Sequence, residues 1–433
     1  MQKNILERVF KLQQNNTTVK TEITAGFVTF LTMAYIIVVN PSILSQAGMD
    51  FDSVFVATIL SAVIGTTIMG LWANWPIALA PGMGLNAFFT YGVVIGMGHS
   101  WQTALGAVFL GGFIFFLISI SPLRKWIINS IPKSLKLGIG AGIGFFLAII
   151  GLKNAGIVVA NPETLVTLGD IGTPSALLAI FGFIGMVVLY SLRVQGAIII
   201  GIIGVSIISA LLGITEFHGV VSGIPSIEPT LLKLDILGVI DGGLIGIVFA
   251  FLFVDFFDTA GTLISVANLT GKVDSRGEIE DIDKALLADS SATIIGAILG
   301  TSNTTSYIES GAGVLEGGRT GLTAITVAIL FLLSLFFAPL AKSIPPFATA
   351  SALIFVATFF AKNIKDIDWE DVTEYAPAMV ATLIMPLTFS ITHGLTLAFI
   401  SYALIKIFSG RIRELPLAVA FVALLSLIYY WLI

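Results

Sequence analysis

Long apolar runs follow one another from residue 24 to residue 408 with little polar sequence between them, and few folds can accommodate such a chain. Runs near 24–40, 53–72, 77–97, 102–120, 136–151, 174–191, 195–213, 242–265, 283–300, 304–318, 320–340, 346–361, 375–391 and 392–408 lie close to the ~20 residues a helix needs to cross a bilayer core. A last run covers 415–432. Hydrophobic residues make up 56% of the 433 and charged residues 11%, against about 25% charged in soluble domains. No polar stretch is long enough to fold alone. The chain therefore reads as an all-α polytopic membrane protein of about fourteen spans in a lipid bilayer.

Orientation follows from the basic residues, which favour the cytoplasmic loops. Arg124, Lys125, Lys133 and Lys136 share one loop, and Arg193 lies in another. Lys272, Arg276 and Lys284, then Arg319, Lys362, Lys365, Lys406, Arg411 and Arg413 mark the rest. The opposite loop, 214–241, holds a single Lys233. Residues 1–23 are polar and basic and lack the apolar core of a cleaved signal peptide. The first span is thus expected to direct insertion into the cell's inner (plasma) membrane, with the N-terminus cytoplasmic. There is no cysteine, and His99, His218 and His393 are scattered. No disulfide, metal cluster or cofactor is expected, and no nucleic-acid partner.

The halves echo each other. Ser121-Pro-Leu-Arg-Lys and Ala338-Pro-Leu-Ala-Lys each end a span, and the following apolar runs close on Lys153-Asn154 and Lys362-Asn363. Gly26-Phe-Val-Thr-Phe-Leu matches Gly246-Ile-Val-Phe-Ala-Phe. With about seven spans each, an odd number, the halves insert in opposite orientations, the inverted-repeat plan of secondary transporters. The expected organisation is a cytoplasmic segment 1–23, a first repeat 24–213, an extracytoplasmic loop 214–241, a second repeat 242–408 and an apolar C-terminal segment 409–433.

Two matched segments are poor continuous helices. Pro76, Pro81, Gly82 and Gly84 interrupt the third run, and Thr301–Ser306 fill the tenth with hydroxyl and amide side chains. Small and hydroxyl residues also serve simply for close helix packing. The matched pair, with Asn86 and Glu309 inside, favours broken helices lining a binding site. Asp255 and Asp258 lie three residues apart inside the apolar run 246–263. A charge at that depth costs about 2.5–3.5 kcal/mol even on a lenient scale, so such residues mark substrate or proton paths. The plainer reading gives each a structural bond to a hydroxyl such as Thr259 or Thr262.

Ala80-Pro-Gly-Met-Gly-Leu-Asn-Ala-Phe-Phe, Val254-Asp-Phe-Phe-Asp-Thr-Ala-Gly-Thr-Leu and Thr301-Ser-Asn-Thr-Thr-Ser-Tyr-Ile-Glu-Ser-Gly-Ala-Gly resemble the AzgA-like purine permeases of the nucleobase–cation symporter 2 (nucleobase–ascorbate transporter) superfamily. The likeness runs from Thr24 to about Phe408. It implies a uracil-permease-like fold of two inverted repeats split into core and gate domains, with short strands in the third and tenth spans. It also implies uptake of hypoxanthine, guanine or adenine by proton symport, and carries the essential roles onto Asn86, Asp255, Asp258 and Glu309. Related folds often pair, so a homodimer is a partner to consider.

A purine needs an apolar slot with a few fixed polar groups. Asp255 is expected to accept purine N–H groups directly, since charge-assisted bonds are the stronger ones, and is a further candidate for proton coupling. Glu309 is expected to bind the base or carry the coupled proton. Asp258 is expected to share in proton coupling or to tie the eighth span to the tenth. Asn86 and Asn303 offer donor and acceptor together, Thr301 and Ser302 further polar groups, and Phe88 and Phe257 rings for stacking, though most phenylalanines here face lipid or core. A proton is the simplest driving ion, because acids cluster and no sodium-ligand pattern stands out. Hypoxanthine and guanine are expected ahead of adenine. An anion transporter of this fold would need a fixed cation at the breaks. An intramembrane aspartyl protease needs its two aspartates on facing helices, and here both share one. The glycine run 138–144 has no preceding strand and reads as helix packing rather than a nucleotide loop. No enzymatic activity is expected.

Overall fold

The computed structural model describes residues 5–121, 131–272 and 279–432. Arg124, Lys125 and Arg276, used above for orientation, lie outside them. In chain order, α1 (Val19–Met33) loosens at Ala34 and Tyr35 before α2 (Ile36–Leu44), and α3 (Phe51–Ile68) follows. Strand β1 (Leu79–Pro81) leads into α4 (Met83–Ala87), which widens into a π-helical stretch over Phe88–Gly96. Next come α5 (Trp101–Ile120), α6 (Lys133–Asn154), strands β2 (Val158–Asn161) and β3 (Leu165–Leu168), α7 (Pro174–Ser191) and α8 (Ala197–Leu211). The second half holds α9 (Ile245–Thr270), α10 (Ile282–Leu299), strand β4 (Thr304–Ser306), α11 (Ser310–Leu315) and α12 (Gly321–Ser334). It closes with α13 (Pro346–Ala361), α14 (Val372–Thr388), α15 (Ile391–Phe408) and α16 (Leu417–Leu432).

Among the described residues, 9 helices are long and apolar enough to cross a membrane. Most apolar runs read from the sequence coincide with one helix or a strand–helix pair; run 24–40 takes in both α1 and the start of α2, and the runs of α8, α10, α14 and α16 match helices outside those 9. The antiparallel hairpin of β2 and β3, largely exposed, was not expected. Its alternation is too short to stand out beside the spans. Hydroxyl and carboxylate side chains close the helix starts: Asp50 accepts from Ser53 N–H, Ser100 from Thr103 N–H and Thr173 from Ala176 N–H. They satisfy donors that the first turn leaves without partners.

The helices sort into two bundles. In one, α1 packs on α11 and α12, α3 on α2, α10 and α12, and α5 on α9 and α10. In the other, α6 lies between α13 and α14, α7 packs on α8 and α13, and α15 joins α14 to α16. The glycines of α6 make the second bundle close. A Cβ at Gly138 would stand 2.5 Å from the Ala378 carbonyl oxygen, and one at Gly142 2.7 Å from that of Ala381, both on α14. On another face, a Cβ at Gly144 would stand 2.5 Å from Phe360 Cβ on α13. Small residues let backbones approach in lipid, where there is no water to drive association.

At one end of this bundle the fully buried Lys406 of α15 pairs with Glu374 of α14 at 2.8 Å and with Glu414 at 3.0 Å. The Ser134 hydroxyl of α6 also donates to Glu374. Arg411 pairs with Asp371 at 2.7 Å and Glu414 at 2.6 Å. The Thr373 hydroxyl and the Arg411 guanidinium hold Asp371 at about 2. Arg411 and Lys406 likewise hold Glu414 at about 2.

Two outcomes are expected. Gly142→Leu forces α6 off α14 and costs about 1–3 kcal/mol, read as a lower Tm of the detergent-solubilised protein. Gly185→Leu, where a Cβ meets nothing within 4 Å, leaves Tm unchanged; equal shifts for both would contradict the packing role. Carboxyls depressed as Asp371 and Glu414 are add stability above the ordinary carboxylate range near ~4 and lose it as pH falls through about 2. Segment 409–416 should therefore resist an added protease equally at pH 7 and pH 5, and cleavage appearing at pH 5 would count against the clamp.

Candidate functional site

The site grows from two places where the chain leaves helix. Pro81 has no N–H to give and disfavours helix at Ala80. In the other half, Gly300 ends α10 at φ 97, where a Cβ would collide with Thr230. Backbone freed at this depth needs partners, and each break supplies the other's. Leu79, Ala80 and Pro81 pair antiparallel with Ser306, Thr305 and Thr304. The Gly82 N–H donates to the Asn303 carbonyl at 2.8 Å and the Tyr307 N–H to the Ala78 carbonyl at 3.0 Å. The Tyr307 hydroxyl adds a bond to the Pro81 carbonyl at 2.5 Å. All of this is buried.

Around the strand joint runs a chain of buried polar side chains. Asn86 Nδ2 donates to Asn40 Oδ1 at 3.0 Å. Asn40 Nδ2 donates to Thr58 Oγ1 at 2.7 Å and Thr301 Oγ1 at 2.8 Å. On the other flank, Asp255 Oδ2 accepts from Thr293 Oγ1 at 2.8 Å and Asn303 Nδ2 at 3.0 Å. Behind β4, Asp289 Oδ1 accepts from the Ser306 N–H at 2.7 Å and its hydroxyl at 2.6 Å, and Oδ2 accepts from Thr259 Oγ1 at 2.7 Å. Asn86 Oδ1, Asp255 Oδ1, Ser302 Oγ, Asn303 Oδ1 and Thr304 Oγ1 are buried with no hydrogen-bond partner among the described residues. Buried polar atoms without partners are rare in native proteins and point to a ligand or water.

A second group is half-buried. Glu309, at the start of α11, accepts from the Tyr35 hydroxyl at 2.7 Å. Asp258 lies within electrostatic reach of Asp255, Glu309, Tyr35 and Tyr307. Among the described residues none of Asp255, Asp258, Asp289 and Glu309 has a cationic partner. Phe88 is fully buried against Phe251, ring centroids 5.0 Å apart. Phe257 is half-buried, and Lys136 Nζ of the other bundle sits 5.7 Å from its centroid.

The residues singled out in the sequence thus fall into one neighbourhood, with Asn86, Thr301, Ser302, Asn303 and Asp255 buried and Asp258, Glu309 and Phe257 half-open. The tie between the eighth and tenth spans, expected at Asp258, is made by Asp255 through Asn303. Asn40, Tyr35, Thr293 and Asp289 were missed. Asn40 carried a signal, an asparagine before Pro41 inside an apolar run. Asp289 was hidden by the acidic turn just before it.

Residues 20–425 match Xan_ur_permease, described as the Permease family. The adenine permease AdeP of Escherichia coli (strain K12) is 46% identical over 98% of this chain and 95% of its own. The guanine/hypoxanthine permease PbuO of Bacillus subtilis (strain 168) is 45% identical over 96% of this chain and 98% of its own. Among solved structures, the transmembrane domain of the cyanobacterial bicarbonate transporter BicA superposes with a TM-score of 0.65 at 18% identity, covering 88% of this chain and 97% of that one. That likeness fixes the fold alone.

Asp289→Ala strands the buried Ser306 N–H and is expected to cost about 1–3 kcal/mol, seen as a lowered Tm. Asp289→Asn keeps an acceptor for that N–H and should lose less. If both variants melt like the wild type, β4 does not depend on Asp289.

Proposed function

The chain belongs to the Permease family over residues 20–425, and from that premise we propose that it imports purine nucleobases by proton symport. The carrying observation is the strand joint between the two halves, which sets Asn86, Asn303 and Asp255 beside the half-open Asp258 and Glu309. The adenine and guanine/hypoxanthine permeases named above match over nearly their whole lengths and support purines as cargo. In this reading the base lies against the joint, gives N–H groups to Asp255 and the asparagine oxygens, and stacks on Phe257.

Acids without fixed counter-charge suit a proton as the coupled ion. An isolated charge in a low-dielectric site is costly, and a proton taken up with the base cancels one such charge while the filled site crosses. Asp258 and Glu309, the half-open acids, are the carriers in this reading. Alternating access then moves the bundle of α1–α5 and α9–α12 against the bundle of α6–α8 and α13–α16. The inverted repeats are assigned to 24–213 and 242–408, in the inner membrane with the N-terminus cytoplasmic. The facing breaks hold asparagines, hydroxyls and Glu309 rather than a lysine or arginine, which disfavours an anion as cargo.

Uptake of radiolabelled purine is the direct test, in cells stripped of their own purine permeases. Asp255→Ala and Glu309→Ala are expected to abolish uptake while the protein still reaches the membrane, and wild-type uptake by either would overturn the site. A protonophore should collapse uptake and removal of sodium should not; the opposite pair of results would replace the proton by sodium.

A further inference from the structure

Resting on the purine reading above, we propose that Asn40 is a positioning residue that turns the oxygen of Asn86 toward the ligand, and that the site therefore selects purines bearing an exocyclic amino group. The Thr58 hydroxyl donates back along its helix to the Val54 carbonyl at 2.6 Å. Its one hydrogen is spent there, so toward Asn40, 2.7 Å away, it can only accept. The Asn40 atom facing Thr58 is thereby Nδ2, whose second hydrogen goes to Thr301 Oγ1 at 2.8 Å. That turns Asn40 Oδ1 toward Asn86, which meets it with Nδ2 at 3.0 Å. Asn86 Oδ1 is left as a buried acceptor without a partner.

The opposite flank is set in the same sense. Asp255 Oδ2 takes the Asn303 amide hydrogen at 3.0 Å, which leaves Asn303 Oδ1 and Asp255 Oδ1 unpaired and buried. The joint holds the two flanks together, since the Gly82 N–H bonds to the Asn303 carbonyl and the Asn86 N–H to the Gly82 carbonyl, 2.8 and 2.9 Å. Asn86, Asn303 and Asp255 thus present acceptor oxygens. Donors are present too, since each asparagine Nδ2 keeps one hydrogen beyond the bond named and the Thr301, Ser302 and Thr304 hydroxyls can each turn one toward a ligand. The three oxygens, however, are fixed as acceptors.

Such a wall asks for a donor-rich edge. Adenine offers its C6 amino group, and guanine offers N1–H beside the C2 amino group. Hypoxanthine offers N1–H alone on that edge, fewer hydrogens than the adenine amino group or the guanine N1–H and C2 amino pair, and so leaves more of the fixed acceptors unbonded. Hypoxanthine therefore falls last, unlike the order expected from the sequence.

Isothermal titration of the purified full-length protein with adenine, guanine and hypoxanthine in turn decides the matter. Adenine or guanine is expected to bind at least about tenfold more tightly than hypoxanthine, as for sites built to pair a specific hydrogen-bonding group. Asn40→Ala frees the Asn86 amide to rotate and should bring the ratio close to one. Asn40→Asp, with acceptors only, keeps Asn86 Nδ2 engaged and should keep the ratio. Thr58→Val releases the relay with Asn40 in place and should lower the ratio too, serving where Asn40→Ala is not recovered folded. Equal affinity of the wild type for all three bases, or a ratio that no variant changes, overturns the role of Asn40 and leaves the purine reading standing. Binding of none of the three overturns both.

Discussion

A peptide group stripped of water at bilayer depth must find a partner inside the protein, and the rest of this structure depends on how that requirement is met. Two spans break, one in each half, and neither break can be satisfied alone. Pairing Leu79–Pro81 with Thr304–Ser306 resolves both at once and fixes them to one depth and one register. Asn86 and Asn303 are carried to the same place by that pairing, because each lies within a few residues of it. Asp289 holds one strand from behind through the Ser306 N–H. The site is thus positioned by backbone hydrogen bonds together with the Asp289 carboxylate behind them.

The two bundles use different chemistry to stay rigid. The bundle that carries the joint is pinned by polar networks: Asn40 reaches Thr58 and Thr301, and Glu22 accepts from the Arg319 and Thr320 N–H groups at 2.9 and 3.2 Å. The other is held by the close approach of α6 to α13 and α14 and by the Lys406 cluster. Between them run side-chain contacts of a lighter kind, such as Asn154 Nδ2 to the Tyr91 hydroxyl at 2.8 Å and Phe253 edge-on to Phe399 at 5.3 Å. Such contacts can part without stranding a backbone group. Two stiff bodies meeting across a separable seam are what rigid-body switching requires.

The spans were legible because hydropathy is a local property, and the breaks because proline, glycine and hydroxyl runs are conspicuous in lipid-length segments. The partners of the site were less so. Asn40 is held by Thr301, 261 positions along the chain, and a single asparagine in an apolar run reads locally as a packing device. The roles of Asp255 and Asp258 could not be separated by spacing either. Three residues along a helix differ by about 60° in direction. That rotation sends one carboxylate into Thr293 and Asn303 and leaves the other half-open. The hairpin of β2 and β3 was invisible for a plainer reason: a few alternating residues carry little weight between long helices.

A shared scaffold does not choose a cargo; the side chains at the joint do. Here the polar lining is oxygen-rich and the acids have no fixed cation among the described residues. An anion brought to such a place would meet carboxylates with nothing to offset them, and in a medium of low dielectric that repulsion is strong. A bare metal cation would find oxygens, but the groups of three or more acids or histidines that could hold one are not formed among the described residues. A flat neutral ring with N–H donors meets neither obstacle. The electrical character of the joint thus narrows the cargo before any shape is considered.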